Sequence, residues 1–111
     1  MIDWAHLHQI ADGNTAFELE LLQLFTTDTH TQIKQLRRAI ALEDFLEIKQ
    51  IAHHIKGASA NMGITSIQTT ADLLEEQVFF KEITTINPFV ESLEQALKQL
   101  EELIESLSIN N

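Results

Sequence analysis

Along most of this chain apolar residues recur every three or four positions, the spacing that lays one stripe along an α-helix. From Thr15 to about Leu42 the stripe is Leu22, Phe25, Ile33, Leu36 and Ile40. Phe45, Ile48, Ile51, Ala52, Ile55, Ala58 and Met62 make a second stripe, and Ile67, Ala71, Leu74 and Val78 a third. Phe89, Leu93, Leu97, Leu100, Ile104 and Leu107 make a fourth. Local start and stop signals frame these segments. Thr15 with Glu18 and Thr65 with Gln68 have capping-box spacing, and Asp44 with Glu47 can act in the same way. Asn87 is placed to cap a helix that has Pro88 at its first position. Gly63 suits the end of the second segment. A further short helix is expected from Asp3 to Ala11, capped by Asp3 and ended by Asp12-Gly13-Asn14. The threonine-rich "TTDTHTQ" predicts a weak point, a kink or break, in the first long segment.

The connections are short, so neighbouring helices should run antiparallel. The pattern therefore predicts an all-α fold: an antiparallel up-and-down four-helix bundle with an additional short N-terminal helix. One domain spans residues 1–111, with the bundle at about 15–108 and the lid helix at about 3–11.

Composition narrows the function classes. Only 3 Gly and 1 Pro interrupt 111 residues, which agrees with long helices, and 44% hydrophobic content suffices for a core. There is no cysteine, so disulfides and thiolate metal sites are excluded. A formal net charge of −10 disfavours nucleic acid and anionic lipid as partners. No apolar run reaches the roughly 18 residues of a membrane span, and the first residues lack a signal-peptide pattern. These features make a cytoplasmic location the expectation.

The chemistry concentrates in "IAHHIKGASANMG", Ile51 to Gly63. At about 100° per residue, His53 falls roughly 160° from the centre of its helix's apolar stripe, so it faces solvent. His54 falls about 100° away, on the flank. Gly57 lies four residues after His53 and shares its direction, Ala60 lies close by, and Lys56 sits one turn from His53. An exposed Gly in a helix interior costs about 1 kcal/mol against Ala, and the core gains nothing from it. What it provides is bare backbone beside an imidazole. A nucleophilic ring, a cation one turn away and cleared space together describe a site for a transferable phosphoryl group.

Those residues resemble the signature of histidine-containing phosphotransfer (HPt) domains, approximately A-H-x-[LI]-K-G-[SA]-[SA]-x-x-[LMI]-G. Ala52, His53, Ile55, Lys56, Gly57, Ala58, Ser59, Ala60, Met62 and Gly63 fall in place. The likeness extends over about residues 15–105 and includes the acidic–aromatic step Asp44-Phe45. It implies a four-helix bundle with an additional short helix. It implies that His53 carries the phosphoryl group, that Lys56 supports it electrostatically, and that Gly57 leaves room for a docked partner. The partners implied are response-regulator receiver domains, a hybrid sensor histidine kinase, or both. The chain itself would need no cofactor, because Mg²⁺ would come with the receiver. No nucleotide-binding glycine loop is present, so autophosphorylation from ATP is not expected.

Two other functions compete. One is a metal-binding bundle using the five histidines and the carboxylates. Against it, His53 and His54 diverge by about 100°, and no H-E-x-x-H or paired E-x-x-H pattern appears, so the expected metal-ligand set is none. The other is an adaptor or inhibitory bundle that binds by shape alone. His30 reads as a surface residue and Trp4 as lid packing.

Overall fold

A computed structural model describes residues 2–109. It contains five α-helices: α1 (Trp4–Ile10), α2 (Thr15–Ala41), α3 (Phe45–Met62), α4 (Thr65–Gln77) and α5 (Ile83–Ile109). A single 3₁₀ turn, Val78–Phe80, continues α4. Helix α2 packs on α3, α3 on α4, α4 on α5, and α5 closes back on α2, so the four long helices form a bundle. At 1.5 Å per residue, the 27 residues of α2 or α5 make a rod of about 40 Å. That matches the long dimension of the molecule, 43 Å.

The apolar stripes meet at the bundle axis. Leu22, Leu36, Ile48, Ile55, Ile67, Leu74, Leu93 and Leu100 are all fully buried there. Leu7 of α1 is also fully buried, and α1 touches both α2 and α3. It caps the bundle end as the lid pattern predicts. Three polar anchors hold it: the Asp3 N–H donates to the Gly63 carbonyl at 2.7 Å, His6 Nε2 to the Asn61 carbonyl at 2.9 Å, and His8 Nδ1 to Glu18. Trp4 is 38% exposed and stacks on His8, so it covers that contact rather than filling the core.

Several local signals act as expected. The Asp3 side chain caps α1 through the His6 N–H, and that of Asp44 caps α3 through the Glu47 N–H. Gly63 ends α3 at φ 74°, a left-handed conformation natural to glycine. Four details differ from the sequence expectation. Asn14, not Thr15, caps α2, accepting from the Phe17 N–H. Glu18 cannot complete a capping box because its side chain is buried against His8. Thr65 does not cap α4; the cap position falls on Ile64, which is fully buried and makes no side-chain cap bond. Helix α5 begins at Ile83, before Asn87, with Pro88 in its interior. The helix extends there because Ile86 is fully buried and Ile83 packs against the core. That burial offsets the bond Pro88 cannot donate to the preceding turn.

The threonine-rich part of α2 is helical without a break. The Thr26 and Thr27 hydroxyls donate to the Gln23 carbonyl, and the Thr31 hydroxyl to that of Thr27. Their side chains are satisfied by the helix itself, while Phe25, Thr29 and Ile33 bury its inner face.

Candidate functional site

Helix α3 presents an outward ridge of residues four apart: Lys49, His53 and Gly57, all exposed. The opposite face, Ile48, Ile51, Ala52 and Ile55, is buried. Ser59 joins that buried face, and its hydroxyl donates to the carbonyls of Ile55 and Lys56. A polar residue can therefore sit in the core stripe without an unpaired group. The His53 side chain is 70% exposed. Gly57 lies in the middle of the continuous helix, and a Cβ added there would meet nothing within 4 Å. Ala60 is half-buried almost one turn further on.

Helix α4 supplies what the sequence did not indicate. Asp72 and Glu75, three residues apart, face His53 and Lys56, also three apart, across the α3–α4 contact. Glu75 bridges the pair: one carboxylate oxygen lies 2.8 Å from His53 Nδ1, and the other 2.6 Å from Lys56 Nζ. Asp72 is 3.5 Å from the same ammonium. Only 16% of the Glu75 side chain is exposed, so the carboxylate is held between the helices while the imidazole stands clear.

This arrangement has electrostatic consequences. The hydrogen bond from Lys56, and then that from His53, hold the Glu75 carboxyl below its usual range against the opposing effect of burial. The hydrogen bond to Glu75 raises Lys56, with Asp72 adding to the effect. An ionised carboxylate only accepts, so the proton in the His53 contact belongs to Nδ1. The lone pair of the neutral ring is then on Nε2, which has no partner among the described residues. His53 thus combines a fixed ring orientation with a free nucleophilic nitrogen.

His54 points to the other side. Its Nε2 lies 3.3 Å from Asp28 of α2. The two adjacent rings therefore address different neighbouring helices and cannot converge on one ion. No group of three or more His, Asp or Glu side chains is arranged to hold a metal among the described residues. No helix among them is long and apolar enough to cross a membrane.

Glu75 flanks the Ile67–Ala71–Leu74–Val78 stripe, so its place at a helix–helix seam was readable from phase. Which helix lies across that seam was not.

Comparison with known proteins bears on the fold and the family. No curated protein sequence matches the chain. The fold is similar to that of histidine-containing phosphotransfer protein B (HptB) from Pseudomonas aeruginosa PAO1, with TM-score 0.88 and 22% identity over 99% of this chain and 96% of that one. It is also similar to the HPT domain of a sensor hybrid histidine kinase from Shewanella, with TM-score 0.76 and 16% identity over 99% and 95% of the two chains. The family model of the Hpt domain matches residues 20–108. With that match over most of its length, the chain belongs to the Hpt domain family, the histidine phosphotransfer domains of phosphorelays.

Proposed function

We propose that His53 is the phosphoryl acceptor, and that this chain relays the group from a receiver-domain phosphoaspartate to His53 and on to a second receiver aspartate. The observation that carries the assignment is the 2.8 Å contact of Glu75 with His53 Nδ1 on a ring that is otherwise exposed. It orients the imidazole and leaves Nε2 as the attacking atom.

In the proposed step the Nε2 lone pair forms a bond to phosphorus as the acyl-phosphate P–O bond of the donor breaks. The bonding pair leaves with the donor carboxylate. The Nδ1 proton stays in place, and the positive charge that develops on the ring faces the Glu75 carboxylate. Lys56, whose ammonium already lies beside Glu75, supplies a cation one turn from the incoming phosphoryl oxygens. Phosphoryl transfer of this kind depends on positioning and charge neutralisation. Gly57, and beyond it Ala60, keep the approach low for a docking surface. Mg²⁺ arrives with the receiver, and the chain acts as an intermediate in the cytoplasm, without autokinase machinery. Its partners are receiver domains, free or within a hybrid kinase.

The test is incubation of the protein with phosphorylated receivers, followed by assay for acid-labile, base-stable label. Wild type should take up label and His53→Gln should take up none while keeping its helical content and melting temperature. Label retained in His53→Gln would overturn the assignment, and absence of label in wild type with every receiver would favour a non-catalytic adaptor.

A further inference from the structure

Where the lid helix meets the bundle, a cavity of about 230 Å³ opens between α1, α2 and α5. Leu19 and Leu22 of α2 and Leu107 of α5 give it an apolar side, and Trp4 and His8 of α1 line it from the lid. Glu18 of α2 lines it as well. The phosphotransfer proposed above uses none of these residues. At about 30 Å³ for each group the size of a water molecule, the space holds about seven of them, which suits a small ligand.

Three features define the chemistry of an occupant. The first is Glu18. Only 7% of its side chain is exposed, and a carboxylate so nearly buried needs compensating partners. His8 Nδ1 donates to Oε1, while Oε2 has no hydrogen-bond partner among the described residues. One oxygen of the anion is therefore left for a ligand. The second is Trp4, whose indole attracts a cation more strongly than any other aromatic side chain. The third is the field. No Lys or Arg lines the cavity, in a chain of formal net charge −10, so cations are drawn to it and anions repelled. A bare metal ion is poorly served, because no group of three or more His, Asp or Glu side chains is arranged to hold one among the described residues. The leucines instead suit a cation that carries apolar groups.

We propose that this cavity binds a small organic cation, with an ammonium head between Glu18 Oε2 and the Trp4 ring and an apolar body against Leu19, Leu22 and Leu107. The site takes its residues from α1, α2 and α5, whereas His53 and its partners lie on α3 and α4, so the inference stands apart from the phosphotransfer reading. Because its walls come from the lid and from the bundle, an occupant ties α1 to α2 and α5. Binding to the folded chain alone should then raise its melting temperature.

The experiment titrates the full chain with choline chloride and follows fluorescence and thermal melting. Trp4 is the one tryptophan of the chain, so its emission reads the cavity wall directly. Two controls run beside it: sodium chloride at matched ionic strength, and the uncharged carbon isostere of choline, in which a tert-butyl group replaces the trimethylammonium head. Choline should change the Trp4 emission saturably, with a Kd on the order of 1 mM. At about tenfold above Kd it should raise the melting temperature by about 6 °C. Neither control should do so. Glu18→Gln should weaken binding by about tenfold or more while circular dichroism stays that of wild type. Trp4→Leu, followed by titration calorimetry because its fluorescence is lost, should weaken binding by at least about threefold. If Glu18→Gln loses its helical signal, Trp4→Leu decides the matter. The proposal is overturned if choline gives wild type no saturable response, or if either control reproduces that response. Unchanged affinity in a folded Glu18→Gln, or in Trp4→Leu, would equally overturn it. None of these failures touches the phosphotransfer function, which label uptake by His53 tests separately.

Discussion

Replacing Gly57 should make the protein more stable and a poorer phosphotransfer partner. Gly57 sits within α3, exposed, and an added Cβ meets nothing within 4 Å. The native helix therefore accepts alanine without strain, while the unfolded chain loses freedom. Gly→Ala at such a position is worth about 1 kcal/mol. With an unfolding entropy of about 2.1 cal/mol/K per residue, that corresponds to a rise in Tm of about 4 °C for a chain of this length. Gln has a helix propensity close to that of alanine and should give most of the same gain. The functional effects should separate. A single methyl group leaves the surface beside His53 low, so Gly57→Ala should transfer at nearly the wild-type rate. The Gln side chain projects an amide arm from the same ridge, where the partner must approach. Gly57→Gln should lose at least about tenfold in kcat/KM, a cost of about 1.4 kcal/mol. Calorimetric melts and single-turnover label transfer on the same preparations measure both quantities. A Tm that falls in Gly57→Ala would mean that the backbone needs glycine there. Wild-type transfer by Gly57→Gln would mean that cleared space has no part in docking.

Lys56→Ala should retain acceptance at a reduced rate and His54→Gln should be closer to wild type, because the His54 ring faces Asp28 rather than His53; quench-flow rates in the reverse order would refute these roles. Glu75→Gln should destabilise the fold most at neutral pH. The Glu75 carboxyl is held below its usual range, so its contribution is present above that range and fades as pH falls through it to the lowered value. Urea titrations of wild type and Glu75→Gln from about pH 7 to pH 3 should converge, and a constant difference would show that the ion pair is not responsible. Gly63→Ala should destabilise by about 1–3 kcal/mol, since the position has φ +74° and a Cβ would lie 3.1 Å from the Asp3 carbonyl oxygen. An unchanged melting temperature would contradict that prediction.

The sequence alone determined whatever depends on a residue's own helix. The rotation of successive residues put His53 and Gly57 on the outward ridge of α3 and His54 on its flank, and they lie there in the structure. Asp3, Asp44 and Gly63 marked helix ends because their bonds reach only three or four residues. Signals that depended on a distant partner were misread. Glu18 has capping-box spacing but is drawn to His8 of the lid, and Pro88 looks like a helix start until the burial of Ile86 extends α5 upstream. Glu75 stands 22 residues from His53, and no periodicity links them. Only the packing of α4 against α3 decides that its carboxylate spans His53 and Lys56, which fixes the tautomer of the ring. The same packing brings Phe79 alongside Leu46 and Lys49, far apart in the chain. Short-range geometry turned His53 outward, and the helix–helix contact supplied the groups that orient its ring, because side chains on different helices become neighbours only when the shared core forms.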